Sequence, residues 1–202
     1  MARPRTYDDA LRARLIETAA ELLAAEGPRG VSVRRVAAAC DTSTTAIYAL
    51  LGNKGELVRS VYLEGFRRLG DRLAAADAPD PLDRLAAQRD AYLANALANP
   101  HLYAVMFGPT PAGFEPDDED TAFALSTLRQ LIDCVQACID ADLLDGDADD
   151  IALELWASSH GVCMLALAGM FDADEAHRHL VRLQDHLFVG LTAQRGALSG
   201  GA

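Results

Sequence analysis

Apolar residues recur at intervals of three and four positions through most of the 202-residue chain. This spacing places them along one face of a helix, and Gly, Pro and short polar residues interrupt it where helices end. The pattern leaves no segment for a strand. It predicts an all-α fold of about nine helices, at residues 7–26, 33–39, 44–51, 53–75, 81–98, 101–107, 119–141, 148–170 and 172–192.

The segment from Val31 to Leu57 contains two short predicted helices joined by a polar turn. Ser32 is a good N-cap, and the helix that it starts directs Arg34 and Arg35 away from its apolar face. The short polar residues at 40–43 favour a turn. This order predicts a helix-turn-helix, whose second helix enters the DNA major groove. Four residues lie near the start of that helix or on its polar side: Ser43, Thr44, Thr45 and Tyr48.

The next helix is predicted to begin at Asn53, which has the spacing of a capping box with Glu56. Lys54, the single lysine in a chain with 17 arginines, falls in the first turn of that helix. A cation is mildly unfavourable at the positive end of a helix. Its position makes sense if Lys54 and the nearby backbone N–H groups face a DNA phosphate.

The span from about Ala10 to Val61 resembles the DNA-binding domain of TetR-family transcriptional regulators. The resemblance rests on the helix end at Gly27-Pro28 and on the segments SVRRVA at 32–37 and IYALLGNK at 47–54. Asp41 stands where the turn usually has Gly, Leu51 replaces an aromatic residue, and Ala49 replaces a frequent His. Asp tolerates a left-handed backbone better than most residues, and Leu fills a core site nearly as well.

The resemblance implies a set of DNA-contacting residues and a palindromic operator in double-stranded DNA. Because an eight-residue helix is only about 12 Å long, it reads few base pairs, so two copies are expected to act together as a homodimer. We expect Thr44 and Thr45 to choose the sequence, whereas Tyr48 and Lys54 hold the backbone. The full predicted DNA-binding set is Ser32, Arg34, Ser43, Thr44, Thr45, Tyr48 and Lys54.

The charge is distributed unevenly along the chain. The net charge is −12 at pH 7, which is unusual for a protein that binds nucleic acid. Residues 1–75 carry 12 Lys or Arg against 9 Asp or Glu, a net +3, whereas residues 76–202 carry 6 against 21, a net −15. An acidic surface repels DNA, so binding is expected only at the N-terminal end and should weaken steeply with salt.

The helix breaks divide the chain into two predicted domains. Residues 1–52 form the expected helix-turn-helix domain, residues 53–75 a connecting helix, and residues 76–202 an effector-binding and dimerisation domain. The charged N-terminus lacks the apolar core of an export signal, and the apolar segment at 155–171 is too short and polar for a membrane span. Four cysteines without a disulfide pattern favour a reducing cytoplasm.

The last two predicted helices carry the apolar surface expected of a dimer contact. The helix at 148–170 is apolar on nearly all sides and rich in small residues, so another helix can approach it closely. Pairing of two copies into a four-helix bundle would cover this surface, although both helices can also be ordinary monomer core. The final helix presents four leucines at three- and four-residue spacing: Leu180, Leu183, Leu187 and Leu191.

A second resemblance involves Trp156, His160 and Gly161, which are similar to the Trp-x-x-x-His-Gly signature of one TetR subgroup. Trp156 and His160, one helical turn apart, share a face. If the family architecture holds, a small apolar or aromatic effector binds between helices five to eight and lowers DNA affinity by linkage. The candidate residues either line a cavity there or form ordinary core, and the sequence leaves both alternatives open. They are Tyr92, Tyr103, Met106, Phe107, Phe123, Trp156, His160, Cys163 and Met164.

No arrangement of residues in the sequence indicates catalysis, a metal site or a cofactor. Cys134 and Cys138 are one turn apart but lack a third ligand, which is more typical of core cysteines. The sequence therefore predicts a DNA-binding transcriptional regulator, with repression as the expected mode. The alternative is a helical ligand-binding or scaffold protein of the same fold without DNA binding. A helical enzyme would require clustered acids or metal ligands in the cavity.

Overall fold

The computed structural model describes residues 5–109 and 114–198, which contain nine α-helices, one short 3₁₀ turn at Gly27–Arg29 and no strand. The predicted all-α fold is confirmed. No helix in these ranges is long and apolar enough to cross a lipid bilayer. The helices are α1 Arg5–Glu26, α2 Val33–Ala39, α3 Thr44–Leu51, α4 Lys54–Ala75, α5 Pro81–Ala98, α6 Pro100–Phe107, α7 Asp118–Asp140, α8 Ala148–Leu167 and α9 Ala173–Leu198.

The predicted end of α8 at residue 170 differs from the end in the structure. The helix ends at Leu167 because Gly169 adopts a left-handed φ of +77°. Gly169 N–H donates to the Ala166 carbonyl and Met170 N–H donates to the Leu165 carbonyl. These two bonds form a Schellman motif, which stops a helix.

The chain packs as two compact units, and the division falls within α4 and α7. The first unit comprises the residues up to 68 together with 99–124. Its core joins α1 to α4 with α6, and the apolar residues Leu15, Val36, Ile47 and Leu102 are all fully buried there. Packing therefore places α6 with the helix-turn-helix, whereas the sequence division at residues 75 and 76 assigned it to the C-terminal domain.

The second unit comprises residues 69–98 and 125 onwards. Its core contains Leu85 from α5, Val135 from α7 and Leu155 from α8. Helix α9 packs along α8, and a buried polar contact joins them. Gln184 Nε2 donates to Ser159 Oγ at 3.0 Å, and Ser159 Oγ donates to the Leu155 carbonyl at 2.8 Å.

Candidate nucleic-acid interface

Helix α2 begins with the predicted serine cap. The Ser32 hydroxyl accepts a hydrogen bond from Arg35 N–H at 3.3 Å, and Val33, Val36 and Ala37 are buried. Both arginines were expected to point outward, but only Arg34 remains available. The Arg35 guanidinium forms two hydrogen bonds with the Glu26 carboxylate, at 2.6 and 2.7 Å, and one with the Gly30 carbonyl. Arg35 therefore holds α2 against the end of α1.

The turn between α2 and α3 is closed by two backbone hydrogen bonds. Thr42 N–H donates to the Ala37 carbonyl at 2.9 Å, and Asp41 N–H donates to the Ala38 carbonyl at 3.3 Å. This Schellman arrangement requires a left-handed residue. Asp41 supplies it with a φ of +49°, which confirms that Asp can take the position usually held by Gly.

Helix α3 has one buried and one exposed side. Its N-cap is Ser43, whose hydroxyl accepts a hydrogen bond from Ala46 N–H at 3.1 Å. Ile47 and Leu51 are buried in the core of the first unit. The opposite side exposes Thr45 and 58% of Tyr48, as expected for a helix whose outer face meets another molecule.

The connection from α3 to α4 depends on Gly52, whose φ of +70° and ψ of −143° are accessible to few residues other than glycine. Asn53 then caps α4, and its Oδ1 accepts hydrogen bonds from Gly55 N–H at 2.7 Å and Glu56 N–H at 3.2 Å. These bonds confirm the Asn53 half of the predicted capping box. Lys54 is the first residue of α4 and is exposed.

The predicted DNA-binding residues thus lie on the successive elements α2, α3 and the start of α4. Ser32 and Ser43 act as caps through their hydroxyl oxygens, while Arg34, Thr45, Tyr48 and Lys54 are exposed, and Thr44 is partly exposed. Arg34 makes no hydrogen bond or ion pair with any described residue. These contacts with DNA stay a prediction.

The part of α4 up to Arg68 is anchored within the first unit by side-chain contacts of Arg59 and Arg68. The Arg59 guanidinium binds the Asp120 carboxylate with N–O distances of 2.8 to 3.0 Å, although Asp120 is 2% exposed. Arg68 binds Glu17, Glu64 and the Asn99 side chain. Arg59 and Asp120 lie 61 residues apart and Arg68 and Asn99 lie 31 apart, so no local pattern could reveal these two contacts.

The close approach of α6 to α4 requires the small residue Gly65. A Cβ atom there would lie 2.5 Å from Met106 Cγ and 2.6 Å from its Sδ. Nearby, the rings of Phe66 and Phe107 meet edge to face with centroids 5.7 Å apart. Burial raises the pKa of the Tyr62 phenol beside this cluster, and the negative charge of Asp120 adds to the shift.

The nine predicted ligand-binding residues are divided between the two units. Tyr103, Met106, Phe107 and Phe123 lie in the first unit, and the other five lie in the second. Phe123 and Met164 expose 40% and 49% of their surfaces, so neither is fully enclosed, and their role in lining a cavity stays a prediction. Helical periodicity shows which residues share a face, but it does not show which neighbouring helix covers that face.

Within the second unit, Tyr92, Trp156 and His160 lie together. Trp156 Nε1 donates a hydrogen bond to the Tyr92 hydroxyl at 3.0 Å, which joins α5 to α8. The Trp156 and His160 rings lie with centroids 5.8 Å apart. Burial lowers the pKa of His160, because desolvation disfavours its charged form. Cys163 is fully buried one turn further along α8.

The predicted dimer leucines separate into buried and exposed residues. Leu180 is fully buried within the chain, so the prediction that it faces a partner is wrong, whereas Leu187 is partly buried and packs on the core of the second unit. Packing of α9 along α8 buries only one side of the leucine stripe. Leu183 lies outside the buried side and is 40% exposed. The side chain of Leu191 lies outside the described residues.

The cysteines show no arrangement for metal binding. All four are free and buried, and no group of three or more His, Cys, Asp or Glu within the described ranges is placed to hold a metal ion. Burial raises the pKa of the Cys134 thiol to about 11, and the nearby Cys138 adds to the shift. Both thiols are therefore poor nucleophiles and poor ligands at neutral pH.

Comparison with protein families matched both parts of the chain. Residues 15–61 match the model described as bacterial regulatory proteins, tetR family, and residues 85–185 match the model described as tetracyclin repressor-like, C-terminal domain. The first match contains α2, α3 and the start of α4. A comparison with curated protein sequences gave no match.

Solved structures with the same fold include several bacterial regulators. A protein with unknown function from Rhodococcus sp. RHA1 has 28% identity and a TM-score of 0.74, with 90% of this chain and 95% of that one covered. The TetR family transcriptional regulator PfmR from Thermus thermophilus has 19% identity and a TM-score of 0.73, with 88% and 98% covered. The fatty acid degradation regulator FadR from Bacillus halodurans has 15% identity and a TM-score of 0.73, with 90% and 96% covered.

Proposed function

Because the chain belongs to the TetR family of bacterial regulatory proteins, we propose that it is a repressor that binds a palindromic operator as a homodimer. A small apolar or aromatic effector binding in the second unit releases it from DNA. The observation that carries the DNA-binding part is the exposed side of α3, where Thr45 and Tyr48 are free of the core. Helix residues such as Thr45 read base edges in the major groove, and Tyr48 on the same side is placed to hold the DNA backbone.

Phosphate contacts are assigned to Arg34 and Lys54, which flank α3 in the sequence and are both exposed. Arg35 is excluded from this role because Glu26 and the Gly30 carbonyl already bind its guanidinium. A phosphate contact strengthens binding to every DNA sequence, whereas a base contact changes the preferred sequence. The two classes of residue are therefore separable by experiment.

The dimer surface is assigned to the exposed side of α8 with Leu183 of α9. The exposed side of α8 and of the turn after it has five exposed residues at three- or four-residue spacing: Leu153, Ala157, Gly161, Leu165 and Ala168. Leu153 and Leu165 expose 52% and 45% of their surfaces. The small residues between them allow a second helix to approach closely, since a Cβ at Gly161 would meet no heavy atom within 4 Å. Two copies of this surface would bury each other around a two-fold axis.

Selection of bound DNA from a random pool, followed by gel shifts, tests the DNA-binding proposal. The selected site should be a palindrome. Thr45→Val should lower affinity for it by about three- to tenfold and change the preferred bases, because a hydroxyl contact to a base is lost. Thr121→Val, at an exposed position on α7, is the matched control and should bind like the wild type.

Arg34→Ala tests the phosphate contact. It should weaken binding to specific and random DNA alike and should reduce the slope of log affinity against log salt by about 1. Arg129→Ala removes the same charge from an exposed position on α7 and should leave the slope unchanged. If both substitutions reduced the slope equally, the net charge of the protein and not a contact of Arg34 would explain its salt dependence. If the wild type prefers no selected sequence over random DNA, the repressor proposal fails.

A further inference from the structure

Gln88 on α5 differs from the other buried polar side chains. It is 7% exposed, and its Oε1 is the one buried side-chain oxygen or nitrogen without a hydrogen-bond partner within the described ranges. Ser159 and Gln184, by contrast, satisfy each other across α8 and α9. Burying an acceptor without a donor costs free energy, because the acceptor loses the hydrogen bond that water would give it. No described residue donates to this oxygen, so a donor from outside the chain can pair with it.

The position of Gln88 on α5 places it beside the aromatic cluster of the second unit. Leu85, one turn earlier on α5, lies in the core with Leu155 of α8. Tyr92, one turn later, accepts the hydrogen bond from Trp156 of α8. Side chains four residues apart on a helix are neighbours. Gln88 therefore lies on the α5 side that packs on α8, between an apolar layer and the Tyr92–Trp156 pair.

The charges around this position are already paired. Arg84, one turn before Gln88, binds the Ala78 carbonyl and the Asp77 carboxylate. Arg89 binds Asp90 at 2.9 Å. His160, beside Trp156, favours its neutral form because burial lowers its pKa. No unpaired cation in this group would compensate a buried anion, so a neutral ligand fits best.

We infer that Gln88 Oε1 accepts a hydrogen bond from a neutral ligand that carries a hydroxyl or amide N–H donor on an otherwise apolar body. This inference rests on the proposed effector role of the second unit and specifies the chemistry of the effector. In this arrangement the apolar body would lie against Tyr92 and Trp156, and the donor would pair with the amide oxygen that has no partner among the described residues. Apolar molecules without a donor leave that oxygen unsatisfied.

Fluorescence of Trp156, the single tryptophan of the chain, provides the assay. The probes are cyclohexanol and cyclohexyl methyl ether, which share a ring but differ in the donor, and cyclohexanecarboxylate as the anion. The wild type should bind the alcohol about two- to tenfold more tightly than the ether, the value of one net hydrogen bond. Gln88→Met keeps the side-chain length but removes the acceptor, and should bind the two probes equally.

The matched control is Gln136→Met, at an exposed position on α7, which should keep the wild-type preference. Thermal unfolding gives a second readout, since Gln88→Met should be at least as stable as the wild type once the unpaired acceptor is gone. The inference is overturned if the wild type binds alcohol and ether equally, binds the carboxylate best, or responds to none of the probes. It is also overturned if Gln88→Met keeps the preference or is less stable.

Gel shifts on the same proteins separate this inference from the proposed function. If operator binding is intact while the alcohol preference is absent, the inference is wrong and the DNA-binding proposal stands. If the preference depends on Gln88 but the protein binds no operator, the ligand chemistry stands and the repressor proposal fails.

Discussion

Gly52→Ala should destabilise the protein because the turn between α3 and α4 needs a backbone conformation that alanine resists. The φ of +70° and ψ of −143° lie close to a region used almost only by glycine, where other residues cost about 1–3 kcal/mol. An added Cβ would also meet the Glu56 Cβ and Cγ at 3.1 Å. Because Glu56 Cβ moves only with the α4 backbone, this tight contact adds to the cost of the strained backbone at residue 52.

We therefore expect a loss of about 2 kcal/mol in the free energy of unfolding, which corresponds to a fall in Tm of about 4–8 °C for a chain of this size. Thermal and urea denaturation followed by circular dichroism measure it. Gly70→Ala is the matched control on α4, where a Cβ would meet its nearest neighbours at an ordinary 3.7 Å. That substitution should stabilise the helix by about 0.5–1 kcal/mol.

The same substitution should affect DNA binding, because Gly52 sets the direction of α4 and hence the position of Lys54 relative to Tyr48 on α3. At temperatures where Gly52→Ala remains folded, gel shifts should show weaker binding to all sequences. If Gly52→Ala is as stable as Gly70→Ala, the backbone at residue 52 tolerates a side chain and the reasoning is refuted. If stability falls while DNA affinity stays at the wild-type value, the turn does not control the interface.

Three further predictions follow from single side chains. Asp41→Asn should keep the left-handed turn, which Asn tolerates, and should tighten binding to all DNA in filter-binding assays by removing an exposed carboxylate; unchanged affinity would place Asp41 away from DNA. Leu183→Glu should convert the proposed dimer to monomers in analytical ultracentrifugation, and a persistent dimer would exclude Leu183 from the interface. Because burial raises the pKa of Cys134 to about 11, alkylation by iodoacetamide should be much slower in native than in guanidinium-unfolded protein at equal pH; equal rates would contradict the burial argument.

Local interactions explain why the sequence predicted the helices and most of their ends. Ser32, Ser43 and Asn53 each cap a helix by accepting a hydrogen bond from an N–H two or three residues ahead. Such bonds depend on a few neighbouring residues, so a short motif contains nearly all the information needed. The left-handed residue Asp41 also depends on local interactions, because the turn around it is closed by hydrogen bonds to the Ala37 and Ala38 carbonyls.

Only the tertiary structure decided which side chains were available for function. Arg34 and Arg35 are adjacent, chemically identical and both exposed, yet Glu26 binds only Arg35. Leu180 and Leu183 belong to one stripe, but packing of α9 on α8 buries the first and exposes the second. Each outcome depends on which elements the fold brings together, and helical periodicity specifies a face without naming its neighbour.

The sequence by itself determined the all-α fold, the helix-turn-helix and the residues that cap it, because these follow from interactions over three or four positions. The tertiary structure decided that α6 packs with the helix-turn-helix, that Asp120 is buried against Arg59, and that Gln88 Oε1 has no donor among the described residues. Those features depend on residues distant in the chain. Burial and hydrogen-bond satisfaction are properties of the whole packed unit, so no local pattern specifies them.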